Sequence, residues 1–185
     1  MKTRFFVLAA LLACALACDT PDVAYSPSAS STAPVSGLAA QPFANTSDAP
    51  GLEARFNEAM ALELAHMQGT PTRPAQVKRL ISGELWRYSL LPVSHDAAGR
   101  PSGYRIIALL HVRCTDAADG AVLWENRGLQ ATYNFKDPSL PGGMTELAAQ
   151  ETVWRQLART IIERAAAARP RRRAQSRHPA NGGQQ

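Results

Sequence analysis

The chain has 185 residues, twenty Lys and Arg against fifteen Asp and Glu, a formal net charge of +5 and three cysteines. The placement of that charge excludes a nucleic-acid footprint: two basic residues lie in the first four positions, five lie from Arg169 onward, and the stretch between is close to neutral at about −2. Three cysteines without paired spacing exclude a disulfide framework, and the length supports one hydrophobic core rather than two domains.

Residues 1–17 read as an export signal. Lys2 and Arg4 precede an apolar run from Phe5 to Ala17 that is too short to span a bilayer, and small residues lead up to Cys18. Ala15-Leu16-Ala17 serves as a lipobox that makes Cys18 the lipidation site, and equally as an A-x-A site for ordinary cleavage, which leaves a soluble periplasmic protein. Cys14 follows a better aliphatic residue, but choosing it leaves an apolar region of only about eight residues, so Cys18 is preferred. A diacylglycerol there anchors the chain, each buried methylene contributing about 0.8 kcal/mol. Cys14 then leaves with the signal and Cys114 remains a lone thiol, whereas an unacylated Cys18 leaves a bridge to Cys114 open in an oxidising compartment.

Residues 18–36, rich in Pro, Ser, Thr and Ala, bury too little apolar surface to offset ordering entropy and form a tether reaching at most about 60 Å. The folded domain spans 37–168. It opens with a first strand over 37–43, after which Ser47 or Asp48 caps a helix over 50–68 with Pro50 in its first turn. Leu52, Phe56, Met60, Leu64 and Met67 recur on one face of that helix, and Gly69 ends it. A Pro-broken stretch over 70–74 leads to a strand over 79–93, a turn-rich hairpin loop over 94–100, and a second strand over 104–115. The alternation in this second strand puts Tyr104, Ile106, Ala108, Leu110, Val112 and Cys114 on one face, and Arg105, Ile107, Leu109, His111 and Arg113 on the other. A third strand runs over 122–135. A second helix over 145–168 follows, with Leu147, Trp154, Leu157, Ala158, Ile161 and Ala165 as its apolar stripe. Residues 169–185 form a basic, Pro- and Gly-punctuated tail, expected to be disordered and solvated rather than bound to headgroups.

This order predicts an α+β fold, two helices packed on one face of a four-stranded, mostly antiparallel sheet. The other sheet face stays uncovered. With Ile107, Leu109 and Arg113 it mixes apolar and basic side chains, as a surface for an acidic lipid or a protein partner does. Catalytic constellations are lacking in the sequence. His95 and Asp96 are neighbours in a hairpin loop and point apart, His111 and Cys114 face opposite sides of one strand, and the four His residues show no metal-ligand spacing. We therefore expect no enzyme activity, no metal and no cofactor.

Residues 38–53 (LAAQPFANTSDAPGLE) end a strand in Pro-Phe, continue with Asn-x-Thr and open a helix with Pro-Gly-Leu-Glu. Gly83, Tyr88, Pro92, Asp96, Gly99-Arg100, Tyr104-Arg105, and Asp116 with Val122-Leu123-Trp124-Glu125 follow in order. Over about 130 residues, counted on the sequence, this pattern resembles the LPS-assembly lipoproteins, the LptE family. The resemblance implies two helices on a four-stranded sheet, and a protein that sits partly inside the outer-membrane LPS translocon barrel as its plug, supports barrel assembly and binds LPS. On that reading the partners are the barrel, LPS and, through the anchor, the membrane, with no nucleic acid. The protein is then lipid-anchored in the outer membrane and faces the periplasm, although Asp19 after Cys18 resembles an inner-membrane retention signal and leaves that destination open. Arg105, Arg113 and Arg127 are the candidates to meet LPS phosphates through charge-assisted hydrogen bonds. The alternative reading is a periplasmic lipid-binding carrier or an adaptor lipoprotein of another envelope complex.

Overall fold

The computed structural model describes residues 35–69 and 73–169. The signal, Cys18, most of the tether, residues 70–72 of the Pro-broken stretch and the tail beyond Arg169 lie outside the described residues. The elements are β1 (Leu38–Ala40), β2 (Ala44–Asn45), α1 (Leu52–Gln68), a 3-10 turn (Pro74–Gln76), β3 (Arg79–His95), β4 (Pro101–Asp116), β5 (Val122–Lys136) and α2 (Glu146–Ala167). β3, β4 and β5 form an antiparallel meander, while β1 and β2 lie one after the other along the free edge of β3, both parallel to it. Fold class and layering match the reading from sequence.

The sheet has five strands where four were expected, because the first strand is cut at residues 41–43. Pro42 has no N–H for the ladder, and Phe43 turns its backbone to α1 instead: Asn57 Oδ1 accepts from the Phe43 amide at 2.7 Å, and Asn57 Nδ2 donates to the Phe43 carbonyl at 3.1 Å. A helix side chain thus stands in for the missing strand partner and leaves no buried backbone group unsatisfied at that residue. The Phe43 ring, 2% exposed, lies against Gly83, where a Cβ would come within 2.6 Å of Phe43 Cε1 and collide with the His111 carbonyl oxygen. From there an aromatic seam crosses the layers. Phe43 meets Phe56 edge-on at 4.9 Å between centroids, Phe56 meets Trp154 at 5.7 Å, and Trp154 meets Tyr88 at 6.1 Å.

The start of α1 also departs from expectation. Its cap is Gly51, at φ 80, and neither Ser47 nor Asp48 caps it; Pro50 lies just before the helix. Asn45 organises this entry. Its Nδ2 donates to the Ala49 carbonyl at 2.8 Å and to Glu53 Oε2 at 2.9 Å, and its Oδ1 accepts from the Ser47 amide at 3.0 Å and hydroxyl at 2.7 Å. With Ser47 engaged by Asn45, the turn is closed by an Asx-type loop that hands the chain to a left-handed glycine. α2 starts conventionally, with Thr145 Oγ1 accepting from the Ala148 amide at 3.3 Å.

The core lies between helices and sheet. Ile106, Ala108, Leu110, Val112 and Cys114 on β4 are each 0% exposed, the face that the alternation selects. The α2 stripe holds with one correction: Leu147 is 46% exposed, since it opens into a surface cleft beside Leu62 rather than towards the sheet. On α1, Leu64 and Met67 are only half-buried, and Glu63 takes the buried position, its carboxylate accepting from Arg159 Nε at 2.7 Å. The helices run in the same direction, Phe56 meeting Trp154 near their starts and Glu63 meeting Arg159 further along both. At their far end, Arg79 Nη1 donates to the Ala166 carbonyl at 2.9 Å and so closes the C-terminus of α2 from the sheet.

Alternation in β3 breaks at Trp86. Leu85 pairs with Leu110 and Arg87 with Leu109, so Trp86 is an extra residue and the inward positions change from Ile81 and Leu85 to Tyr88 and Leu90.

Candidate functional site

The sheet face turned away from the helices is built by outward positions of β3, β4 and β5, and the register fixes who meets whom. Glu84 lies opposite His111, Arg87 opposite Leu109, Ser89 opposite Ile107, Leu91 opposite Arg105, and Arg113 opposite Glu125. Among the described residues no helix covers this side, because Ile106, Leu110 and their neighbours take the packing of both helices on the other.

Two of the three arginines expected to bind phosphate come together, and the third stands apart. Arg113 Nη2 donates to Glu125 Oε1 at 2.9 Å, Arg127 Nε lies 3.6 Å from the same oxygen, and His111 Nε2 lies 3.1 Å from it. Glu84 approaches the other ring nitrogen of His111 at 3.7 Å. Hydrogen bonds from Arg113 first and His111 second, with the charge of Arg127 added, hold the Glu125 carboxyl down to about 2. Arg105 sits eight residues from Arg113 on the same strand, hence about 26 Å away, and donates from Nε to Asn134 Oδ1 at 2.8 Å.

The face therefore has two halves of different character. Around Glu125 the cations are already neutralised. Around Arg105 they are not: among the described residues neither Arg105 nor Arg87 forms an ion pair, and Arg87 stacks over the exposed Trp86 ring at 5.3 Å from its centroid. Leu91, 45% exposed, with Ile107 and Leu109, supplies the apolar part of this half. Reading the sequence alone missed Arg87 and Glu125. Both depend on irregularities, the Trp86 bulge for the first and the extra residue between Asn126 and Leu129 opposite β4 for the second, and hydropathy alternation carries no mark of either.

The pairs set aside from sequence behave accordingly. Asp96 accepts from the Ala98 and Arg100 amides and from Arg100 Nε at 2.8 Å, so it builds the hairpin turn and has no bond to His95. Cys114 is buried, its thiol pushed up by burial, and His111 lies on the opposite face of β4.

Because Glu125 is ionised more readily in the folded chain than in the unfolded one, its contribution to stability is complete above pH 4.5 and disappears as pH falls towards 2. Denaturation of the parent and of Glu125→Gln across this range is expected to show a difference that shrinks on acidification. A constant difference would show that the cluster does not act through charge.

Fold and face together define an α+β open-faced sandwich that offers one mixed apolar and cationic sheet surface. The chain belongs to the LptE lipopolysaccharide-assembly family, whose model matches residues 35–166. The family is one of outer-membrane lipoproteins of the LPS-assembly type, and among the described residues no helix is long and apolar enough to cross a membrane. No curated protein matches the chain. Similar solved structures include a lipoprotein candidate from Caulobacter crescentus CB15 (16% identity, TM-score 0.47, 74% of this chain and 92% of that one). A minor lipoprotein from Acinetobacter baumannii (11%, 0.43, 71% and 91%) and the rare lipoprotein B from Shewanella oneidensis (15%, 0.37, 68% and 93%) are also similar. At these TM-scores the family assignment rests on the family model alone.

Proposed function

We propose that this protein is anchored through acylated Cys18 in the outer membrane, sits partly within the LPS translocon barrel as its plug, supports the assembly of that barrel and binds LPS. The observation that carries the reading, beside family membership, is the uncovered sheet face, whose apolar and cationic residues lie on one side of three adjacent strands. An LPS phosphate would be met first at Arg105, with Arg87 beside the same half. Arg113 and Arg127 would contribute only when phosphate displaces them from Glu125.

Affinity isolation of the tagged full-length protein from detergent-solubilised envelopes, with mass spectrometry of partners and of the N-terminal peptide, tests the first part. A large outer-membrane barrel and acylated Cys18 are the expected recoveries, whereas an unmodified N-terminus without a barrel would favour a lipid carrier or adaptor. For the second part, charge reversal of Arg105, Arg113 and Arg127 is expected to weaken LPS binding by at least about tenfold, with Arg105→Glu the most effective single change. Unchanged binding in the folded triple variant would remove the proposed LPS surface.

A further inference from the structure

Strand β5 closes the sheet on one side, and among the described residues no strand pairs with its outer edge. The Asp137 amide donates to the Ser102 carbonyl at 3.1 Å, and from there the register runs without a break from Lys136 opposite Gly103 to Leu129 opposite Leu110. Alternation along an antiparallel ladder then turns the N–H and C=O groups of Leu129, Ala131, Tyr133 and Phe135 towards β4, and those of Gln130, Thr132 and Asn134 towards the open side. The Lys136 carbonyl, next in that outer row, accepts from the Met144 amide at 3.2 Å and so bounds the open edge. The extra residue between Asn126 and Leu129 bounds it at the other end.

This edge has none of the usual protection. A strand edge is ordinarily kept from pairing by a charge, a proline or a bulge, and the free part of β3 beyond Leu85 has all three, in Arg87, Pro92 and the inserted Trp86. From Leu129 to Phe135, β5 has no such residue. The outward side chains of the same stretch leave a matched pair of groups unused. Gln130 Nε2 donates to Thr132 Oγ1 at 3.1 Å, so its Oε1 remains an acceptor, while Asn134 Oδ1 accepts from Arg105 Nε at 2.8 Å, so its Nδ2 remains a donor. Neither remaining group has a partner among the described residues.

We infer that β5 pairs, antiparallel, with β5 of a second copy of this chain about a two-fold axis at Thr132. This is the register in which the bounded stretch 130–134 matches itself. Thr132 faces Thr132 of the second copy, and Gln130 faces Asn134 on both sides of the axis, which closes about six backbone hydrogen bonds. The unused Gln130 acceptor then lies opposite the unused Asn134 donor, twice. Towards the helices, Tyr133 lies opposite Ala131, large against small. No charged residue falls within the paired stretch, so nothing there repels its own copy. A lipid or a flat protein surface lacks the alternating donors and acceptors that such an edge requires. The pairing sets the two sheets side by side and leaves the mixed apolar and cationic faces uncovered. It requires neither the barrel nor LPS.

Sedimentation equilibrium of the secreted full-length Cys18→Ser chain, which cannot be acylated, tests the inference. A contact this short is smaller than a standard interface, so a reversible dimer with a Kd of about 0.1 mM is expected. Thr132→Lys sets two like charges face to face on an exposed position and is expected to raise that Kd at least about tenfold, whereas Leu91→Lys on β3 leaves it as it is. Mild oxidation gives a second reading. Thr132→Cys is expected to cross-link as a dimer, because facing Cα atoms on such an axis lie about 5.5 Å apart. Gln130→Cys, also exposed but about 14 Å from its counterpart, is not. A chain that stays monomeric up to about 1 mM, undiminished dimerisation by Thr132→Lys, or equal cross-linking at both positions would each overturn the inference. Dimers lost on Leu91→Lys would place the contact elsewhere and overturn it too. Failure here leaves the barrel isolation and LPS measurements untouched.

Discussion

Phe43→Ala is expected to lower the unfolding free energy by about 3–5 kcal/mol, the range for a fully buried aromatic ring truncated to a methyl group. The site has little freedom to collapse. On one side the ring rests on the backbone at Gly83, and on the other it meets the edge of Phe56, itself 1% exposed. Asn57 also holds the Phe43 backbone, so the segment stays in place around the cavity. Urea denaturation would read the loss as a lower midpoint at unchanged slope. A loss under about 1 kcal/mol would mean that the strand edge is secured by β1 and β2 pairing alone, and that the break at 41–43 is incidental.

The second large effect belongs to Trp154, and here the choice of substitution matters more than the position. Alanine is expected to cost about 3–5 kcal/mol, because the indole fills the space between Phe56 and Tyr88. Phenylalanine is expected to cost less than half of that. The indole Nε1 is buried without a hydrogen-bond partner among the described residues, so the exchange removes ring volume while also removing an unsatisfied donor. Tyr88 keeps its own network, donating to Glu146 Oε1 at 2.8 Å and accepting from Gln150 Nε2 at 3.0 Å, which holds the start of α2 to β3 in either variant. Since Phe43 and Trp154 both pack on Phe56, the double alanine variant should fall short of the sum of the single ones. If phenylalanine were as costly as alanine, an unseen acceptor for Nε1 would be the explanation.

The strands and helices could be read from the chain because their signals are periodic and local. β4 shows this best: its six alternating inward residues, Tyr104 to Cys114, lie where a period of two puts them, and each helix was placed to within about two residues of its end. Departures occur where one side chain replaces a backbone partner or one residue is inserted. Asn57 cannot be identified from sequence as the partner of Phe43 fourteen positions away, nor Asn45 as the organiser of the α1 entry, because both depend on tertiary approach. The Pro-Phe, Asn-x-Thr and Pro-Gly-Leu-Glu residues that carry the family resemblance turn out to sit at this junction. They hold β1, β2 and α1 together. On the sheet face, the arginines were identifiable as outward-pointing cations, but their neutralisation by Glu125 was not. The pairing of Arg113 with Glu125 depends on the extra residue in β5, and Arg87 faces outward only because of Trp86.

The interrupted first strand also sets an order of assembly. β3, β4 and β5 are joined by short turns and can zip from neighbouring residues, whereas Leu38 must wait for Arg79, forty-one positions later, across the whole of α1. Closing that loop has an entropic cost that three residue pairs in β1 and two in β2 do little to offset until Phe43 reaches its seat. The meander and α2 are thus in a position to form a nucleus, and the edge strand completes the fold. The edge of the sheet that holds the first described residues is thus the last part of the body to become rigid.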